Sequence, residues 1–326
     1  MSKANAYHEL IEEGLSSINF ASRPVELYEP MKYVLEVGGK RIRPLLTLLA
    51  CDLFEGSSTE ALPAALAIEL FHNFSLVHDD IMDCAPLRRN RATVHEKWNS
   101  NIAILSGDAL LIKALQQFEK LPSELMAKVL PVFNLTALKV CEGQQFDMNY
   151  EKLSQVSIAE YIRMIELKTA VLLAGALQIG ALIGKATTED AGLIYEFGRN
   201  IGIAFQLQDD LLDIYADPEK FGKQPGGDII SNKKTFLLLK ALEMSAQMPY
   251  KREELLHWIE ASPLDPMEKV AAVKDIYDTL QVRSRANEEM NRYYEKGLEA
   301  FGRISVGKEK KNDLYSLVEK LRIREI

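Results

Sequence analysis

The stretch SSTEALPAALAIELFHNFSLVHDDIMD, residues 57–83, decides the fold. Ser57 and Glu60 have the spacing of a capping box, and the apolar residues that follow recur with helical periodicity, so one helix is predicted from about Ser58 to Asp83. It ends in Asp79-Asp80-Ile81-Met82-Asp83. Asp79 and Asp83 are four residues apart and stack on one helix face, where like charges repel by a few tenths of a kcal/mol in water and by more when buried. A helix C-terminus favours cations, which makes the placement worse for carboxylates. Phe74, Leu76, Val77 and Ile81 flank the cluster, so a freely solvated face does not explain it. Something cationic has to sit against these carboxylates.

The same form recurs 130 residues later as Asp209-Asp210-Leu211-Leu212-Asp213, flanked by Ile203, Phe205, Leu207, Leu211 and Leu212. An acidic capping pattern, Thr187-x-x-Asp190, predicts a helix from about Thr188 to Asp213, again with the aspartates at its C-terminal end. FSLVHDDIMD and FQLQDDLLD are alike enough to suggest pseudo-symmetric helices facing each other, and no other internal repeat stands out. Oxygen-only ligands without His or Cys suit a hard ion such as Mg²⁺, which takes one or two carboxylates together with phosphate oxygens and water. Two opposed carboxylate faces would hold Mg²⁺ ions around a polyphosphate.

Helical periodicity runs through the rest of the chain, and strand alternation with hairpin signals is absent, so the expectation is all-α. Further helix starts are marked at Ser157-x-x-Glu160 and at Asp265-Pro266-x-Glu268. The breaks at Gly38-Gly39, 55–58, Pro122-Ser123, 217–227 and 302–311 are too short for interdomain linkers, which predicts one domain over residues 1–326. With 326 residues, 47% of them hydrophobic and 26% charged, the composition is that of a globular protein. The apolar run from Ala170 to Gly184 is interrupted by Gln178 and is too short for a transmembrane segment, and MSKANAYHELIEEG lacks an apolar signal core, so a cytoplasmic location is expected. Cys51, Cys84 and Cys141 are odd in number and scattered, which suggests neither disulfides nor zinc. The net charge of −8 argues against nucleic acid as a partner. Anionic substrates would need local basic clusters, and Lys40-Arg41 with Arg43, Arg88-Arg89 with Arg91, and Lys233-Lys234 provide them.

In order, Gly38-Gly39-Lys40-Arg41-Ile42-Arg43-Pro44, LVHDDIMDCAPLRRN, Lys168-Thr169, FQLQDDLLD and FGKQPGGDIISNKKT make the chain resemble the trans-isoprenyl diphosphate synthases. The resemblance implies an all-α, single-domain helical bundle around a deep apolar cavity (the isoprenoid synthase fold), usually homodimeric. It implies condensation of isopentenyl diphosphate with an allylic diphosphate (dimethylallyl, geranyl or farnesyl diphosphate), using three Mg²⁺ ions. Breaking the allylic carbon–oxygen bond leaves a cation, so the departing diphosphate must be stabilised by metal and fixed donors. On the family pattern Asp79, Asp83 and Asp209 are the metal ligands, with Asp80, Asp210 and Asp213 acting through water or outside the first ring of ligands. Arg88, Lys168, Thr169, Gln206, Lys223 and Lys233 match the ring around the allylic diphosphate, the basic ones offering charge-assisted hydrogen bonds. Gly39, Lys40, Arg43, His72 and Arg89 match the site of the second diphosphate, which is not broken and needs no metal. His78 and His95 read as structural. No side chain stands out as a base, and in the family the departing diphosphate takes that part.

Two departures from the common pattern are small. Asn90 stands where glycine often follows the Arg-Arg pair, and the loop from Gly222 to Asp228 is one residue longer than in some members. Phe74 at the fifth position before Asp79, small Ser75 at the fourth and Phe71 at the eighth resemble short-chain members, with a C20 product favoured over C15. The competing readings are a class I terpene cyclase, whose second metal motif is typically of an Asn/Ser/Glu type, and a non-catalytic helical partner subunit of a prenyl synthase. Both aspartate motifs are intact, which favours the synthase.

Overall fold

The computed structural model describes residues 3–216, 226–261 and 265–322, and helices dominate it, as the periodicity predicts. The chain folds into two compact units. The first comprises Met1–Leu138, Leu172–Tyr195 and Ile304–Leu317; the second comprises Lys139–Val171, Glu196–Arg303 and Val318–Ile326.

In the first unit the predicted central helix runs Ser58–Met82, and Asp83 is its C-cap. Ala64 to Phe71 are buried without a break, so this segment is a core helix enclosed on all sides rather than an amphipathic surface one. Its alanines admit the neighbouring Ile42–Leu53 and Ser100–Phe118 helices. Phe71, 1% exposed, alone contributes about 3 kcal/mol of burial. The capping box expected at Ser57 does not form: the Ser57 hydroxyl pairs with that of Thr59, 2.6 Å away, and caps no backbone N–H.

One charged pair lies within this core. Arg41 adopts a left-handed backbone (φ 45°) at the start of the Ile42–Leu53 helix, which turns its side chain inward. Its guanidinium donates to Glu69 at 2.7 Å, to Glu12 at 2.9 Å and to the Leu35 carbonyl at 2.7 Å. Asn73 adds a further donor to Glu69 at 3.2 Å. Arg41 therefore belongs to the frame, although its sequence neighbours made it a candidate anion ligand.

The expectation of no hairpin is corrected by a small one. Leu87–Arg88 and Arg91–Ala92 pair antiparallel, joined through Arg89 and Asn90 at φ 52° and 62°. Two consecutive positive φ angles define the turn that suits a two-residue hairpin, and asparagine tolerates that region better than other non-glycine residues. This explains why Asn90 can stand where glycine is common.

In the second unit, Ser157 and Glu160 form the predicted capping box at the start of the Ile158–Ile165 helix. That helix passes through a π-turn, Glu166–Ala170, in which the Val171 N–H reaches back five residues to the Glu166 carbonyl. The second aspartate helix spans Thr188–Tyr215, two residues past Asp213. Leu207 and Leu211, both fully buried, face a core that includes Phe236, Leu237, Ile276 and Val282. The Asp265 carboxylate caps Met267 N at 2.9 Å, as its Asp-Pro signal predicts. The segment Ile158–Ile183 is longer than the apolar run read from sequence and could cross a membrane by length and composition, but 72% of its apolar window is buried within the protein.

Removing the Arg41 guanidinium would leave Glu69 buried without its cation. Arg41→Ala is expected to lower unfolding free energy by about 3 kcal/mol in urea titrations, and a paired Arg41→Met, Glu69→Gln variant to regain much of the loss. A loss below about 1 kcal/mol for the single variant would contradict the assignment of this pair as a framework contact.

Candidate active site

The first unit gathers two groups of predicted site residues along one helix. At its C-terminal end, Arg88 on the hairpin donates to Asp80 at 2.7 Å and to Asp79 at 3.2 Å. Asp80 is buried, which pushes its carboxyl above the usual range, while the Arg88 hydrogen bond and charge oppose that shift. Asp79 is partly accessible and Asp83 exposed, so the first and last aspartates of the cluster are the ones open to a ligand.

Two turns back along the same helix, His72 lies 3.1 Å from the Arg43 guanidinium. Loss of hydration, then the positive charges of Arg43, Arg89, Arg88 and Arg41, keep its imidazole neutral well below the ordinary histidine range. Gly39 lies against Arg89 so closely that an added Cβ would meet the guanidinium nitrogen at 2.5 Å, and Gly38 before it takes φ +74°. The positive φ favours glycine at Gly38, whereas at Gly39 the neighbour is the mobile end of the Arg89 side chain. Gly39 lies beside Arg89 and Arg43 beside His72, and Lys40 is exposed. A small cleft opens next to Asn73, Asp80, Arg88 and Arg89.

In the second unit, Lys168 and Thr169 sit on the π-turn. Lys168 Nζ donates to Asp147 at 2.6 Å, the Thr169 hydroxyl to Gln206 at 3.1 Å, and Gln206 Nε2 to Asp210 at 3.3 Å. The Tyr161 hydroxyl also donates to Asp210, whose carboxyl is raised by burial in spite of these donors. Asp210 thus mirrors Asp80: the middle aspartate of each cluster is buried and holds neighbouring side chains. Asp213 accepts from the Asp228 N–H at 3.0 Å, which ties it to the turn leading to Lys233. Burial, and then the charges of Asp213 and Asp210, push the Asp228 carboxyl up to about 7. Asp209 is half-buried and Lys233 exposed. Lys223 lies outside the described residues.

Several of these contacts were not anticipated. Lys234 does not join Lys233 in an anion cluster: its ammonium caps the backbone carbonyls of Tyr150 at 2.8 Å and Glu151 at 3.1 Å. Asp147 and Tyr161 carry no motif of their own. Asp147 does follow Gly143 by four residues, a spacing that puts a glycine and a carboxylate on one helix face.

The donor set fits Mg²⁺. In each unit taken by itself the donors are carboxylate oxygens near the C-terminal end of a helix, and among the described residues no three acidic, His or Cys side chains form a ready-made metal site. An open carboxylate set leaves positions for phosphate oxygens and water, which Mg²⁺ commonly keeps.

Comparison with known proteins agrees with this chemistry. The sequence model of the polyprenyl synthetase family matches residues 24–280. The geranylgeranyl diphosphate synthase of Methanosarcina mazei is 41% identical over 240 residues, 73% of this chain and 74% of its own. A crystal structure of a geranylgeranyl pyrophosphate synthase matches with a TM-score of 0.93 at 41% identity, covering 98% of both chains. The corresponding synthetase from Pyrococcus horikoshii gives 0.89 at 36% identity, over 99% of this chain and 96% of the other. The helical architecture, the order of the motifs and the gathering of their residues all meet in one conclusion: the chain belongs to the polyprenyl synthetase family.

Proposed function

We propose that this protein is a Mg²⁺-dependent short-chain prenyl diphosphate synthase that joins isopentenyl diphosphate head to tail to an allylic diphosphate, releasing diphosphate. The favoured product is the all-trans C20 diphosphate, with C15 next. The observation that carries this reading is the presence of two chemically different anion sets: carboxylates suited to metal, and a separate cationic cradle of Arg43, His72 and Arg89 against Gly39. A diphosphate that leaves needs metal to accept its developing charge; one that stays needs only cations and hydrogen-bond donors. A terpene cyclase handles one diphosphate and has no use for the second set.

Asp79, Asp83 and Asp209 are assigned as Mg²⁺ ligands, with three ions expected once diphosphate is bound. When bound, the metal supplies Lewis-acid stabilisation of the leaving diphosphate. The chain does the rest. Arg88 fixes the rotamers of Asp79 and Asp80 and keeps N–H groups for phosphate oxygens. Lys168, Thr169, Gln206 and Lys233 are assigned to the allylic diphosphate, and Gly39, Lys40, Arg43, His72 and Arg89 to isopentenyl diphosphate. Neutral His72 acts as a hydrogen-bonding partner there, which its suppressed basicity supports.

The domain reading over 1–326 as a single synthase domain is part of this proposal; the family match includes residues of both units. A homodimer is supported by apolar side chains left open on the first unit: Ile104, Leu105, Ile112, Leu135 and Leu138 are 44 to 61% exposed. A second copy would cover them. Three free thiols, Cys51, Cys84 and Cys141, accord with a reducing, cytoplasmic location.

Product length is assigned to the aromatic stack upstream of the first aspartates. Phe74 lies five residues before Asp79, roughly 7 to 8 Å along the helix axis. Its ring is 5.4 Å from Phe71, and Phe71 is 5.4 Å from Phe133, so the growing chain meets one ring backed by two others.

Diphosphate release from purified protein is expected to require both substrates and Mg²⁺. Asp79→Ala and Asp209→Ala are each expected to lower turnover on the order of a thousandfold with unchanged circular dichroism. Release from the allylic substrate alone at the full rate would favour a cyclase, and near-normal turnover in either variant would remove that aspartate from the metal set.

Phe74→Ala is expected to lengthen the product by at least one isoprene unit, and Ser75→Phe to shorten it, with Mg²⁺ dependence intact in both. Chromatographic product profiles identical to wild type in both variants would reject these positions as the chain-length floor.

A further inference from the structure

The π-turn that carries Lys168 and Thr169 is gripped from two sides by glycines that no motif reading singled out. On one side a Cβ at Gly143 would lie 2.2 Å from the Lys168 amide nitrogen and 2.6 Å from its Cα. On the other, a Cβ at Gly202 would lie 2.5 Å from the Ala170 Cα. All the obstructing atoms nearest these glycines belong to backbone or to Cα and Cβ, so no side-chain rotation relieves the conflict. Ordinary contact begins near 3.4 Å, so an alanine at either place displaces backbone by about 1 Å.

A π-turn inserts one residue into a helix and widens it locally, a costly distortion that recurs at functional sites. Here the widened turn fits between two surfaces with no side chain at the point of closest approach. Asp147, one helical turn beyond Gly143, then meets the Lys168 ammonium at 2.6 Å, and Gln206, four residues beyond Gly202, meets the Thr169 hydroxyl at 3.1 Å. Each flanking helix thus presents a glycine that sets the backbone spacing and, one turn later, a polar side chain that orients a π-turn residue. The repeat of this arrangement on both sides is what a packing accident would lack.

We propose that Gly143 with Asp147, and Gly202 with Gln206, form a two-sided clamp that holds the π-turn and thereby aims Lys168 and Thr169 at the allylic diphosphate. Gly143, Asp147 and Gly202 are positioning residues: they act through Lys168 and Thr169. The proposal rests on the assignment of Lys168 to that diphosphate.

The test is a set of steady-state measurements on full-length enzyme with both substrates varied. A misplacement of about 1 Å at a reacting centre costs on the order of a hundredfold. Gly143→Ala and Gly202→Ala should therefore lower kcat/KM for the allylic substrate about a hundredfold, while KM for isopentenyl diphosphate stays within about twofold. Gly192→Ala is the control, because a Cβ there meets nothing within 4 Å, and it should match wild type. Asp147→Asn, which adds no bulk, should cost about tenfold on the same substrate and keeps the test open if an alanine variant fails to fold. The decisive comparison is made in a Lys168→Ala background, where Asp147→Asn should cost less than about threefold further, because its effect passes through the missing ammonium, and Gly143→Ala should cost less than in wild type. Full, additive losses in that background, equal losses for both substrates, or normal kinetics in Gly143→Ala and Asp147→Asn would each overturn the clamp. Normal allylic kinetics in Lys168→Ala alone would instead remove the assignment of Lys168, a failure visible before any glycine is changed.

Discussion

Repulsion among carboxylates held at helix ends is the constraint on which the rest of the site depends. In the second unit burial first, and then the charges of Asp213, Asp210 and Asp147, push the Asp228 carboxyl up to about 7. In the first, Asp79 and Asp80 are held together by a single guanidinium, that of Arg88. Such crowding is unfavourable in the free protein at neutral pH, and the sequence keeps it twice. Under the proposed Mg²⁺ assignment, metal ions arriving with the substrate would relieve that charge.

The clusters manage their charge in the same way. The middle aspartate is buried and tied to neighbours, Asp80 to Arg88 and Asp210 to Tyr161 and Gln206, while the first stays partly accessible. Immobilising one carboxylate fixes the helix face on which its neighbours stand, which under the proposed Mg²⁺ assignment leaves the ligands little reorganisation when charge develops. The cationic cradle is built on the opposite principle. Arg41 is turned into the core, where Glu69 and Glu12 neutralise it, while Arg43 two residues on lies half-buried against His72.

The helix Ser58–Met82 and the positions of both aspartate clusters were legible because a long apolar period and a carboxylate pair at the fourth position are strong, local signals. The cradle of Gly39, Arg43, His72 and Arg89 was legible only through its resemblance to a family, since its members come from three separate segments. What stayed hidden depended on single backbone angles. Arg41 and Arg43 look equivalent in sequence, and a φ of 45° at Arg41 sends one inward. The hairpin around Arg89 and Asn90 has strands of two residues, too short to show alternation, and the π-turn at Glu166–Ala170 leaves a period that still reads as helical. Lys234 shows the same limit: its charge suggested an anion, and its partners are the carbonyls at a helix end.

The central claim, that the two aspartate clusters are cation sites held under electrostatic strain, is tested most directly by the thermal midpoint with Mg²⁺ and inorganic diphosphate, against NaCl at equal ionic strength. Ligand that binds only the folded state raises the midpoint. The account predicts that Mg²⁺ and diphosphate together raise it by more than the sum of their separate effects, and that Asp209→Asn starts at a higher midpoint than wild type but gains little from the pair. An equal gain in Asp209→Asn and in wild type, or a gain reproduced by NaCl alone, would contradict it.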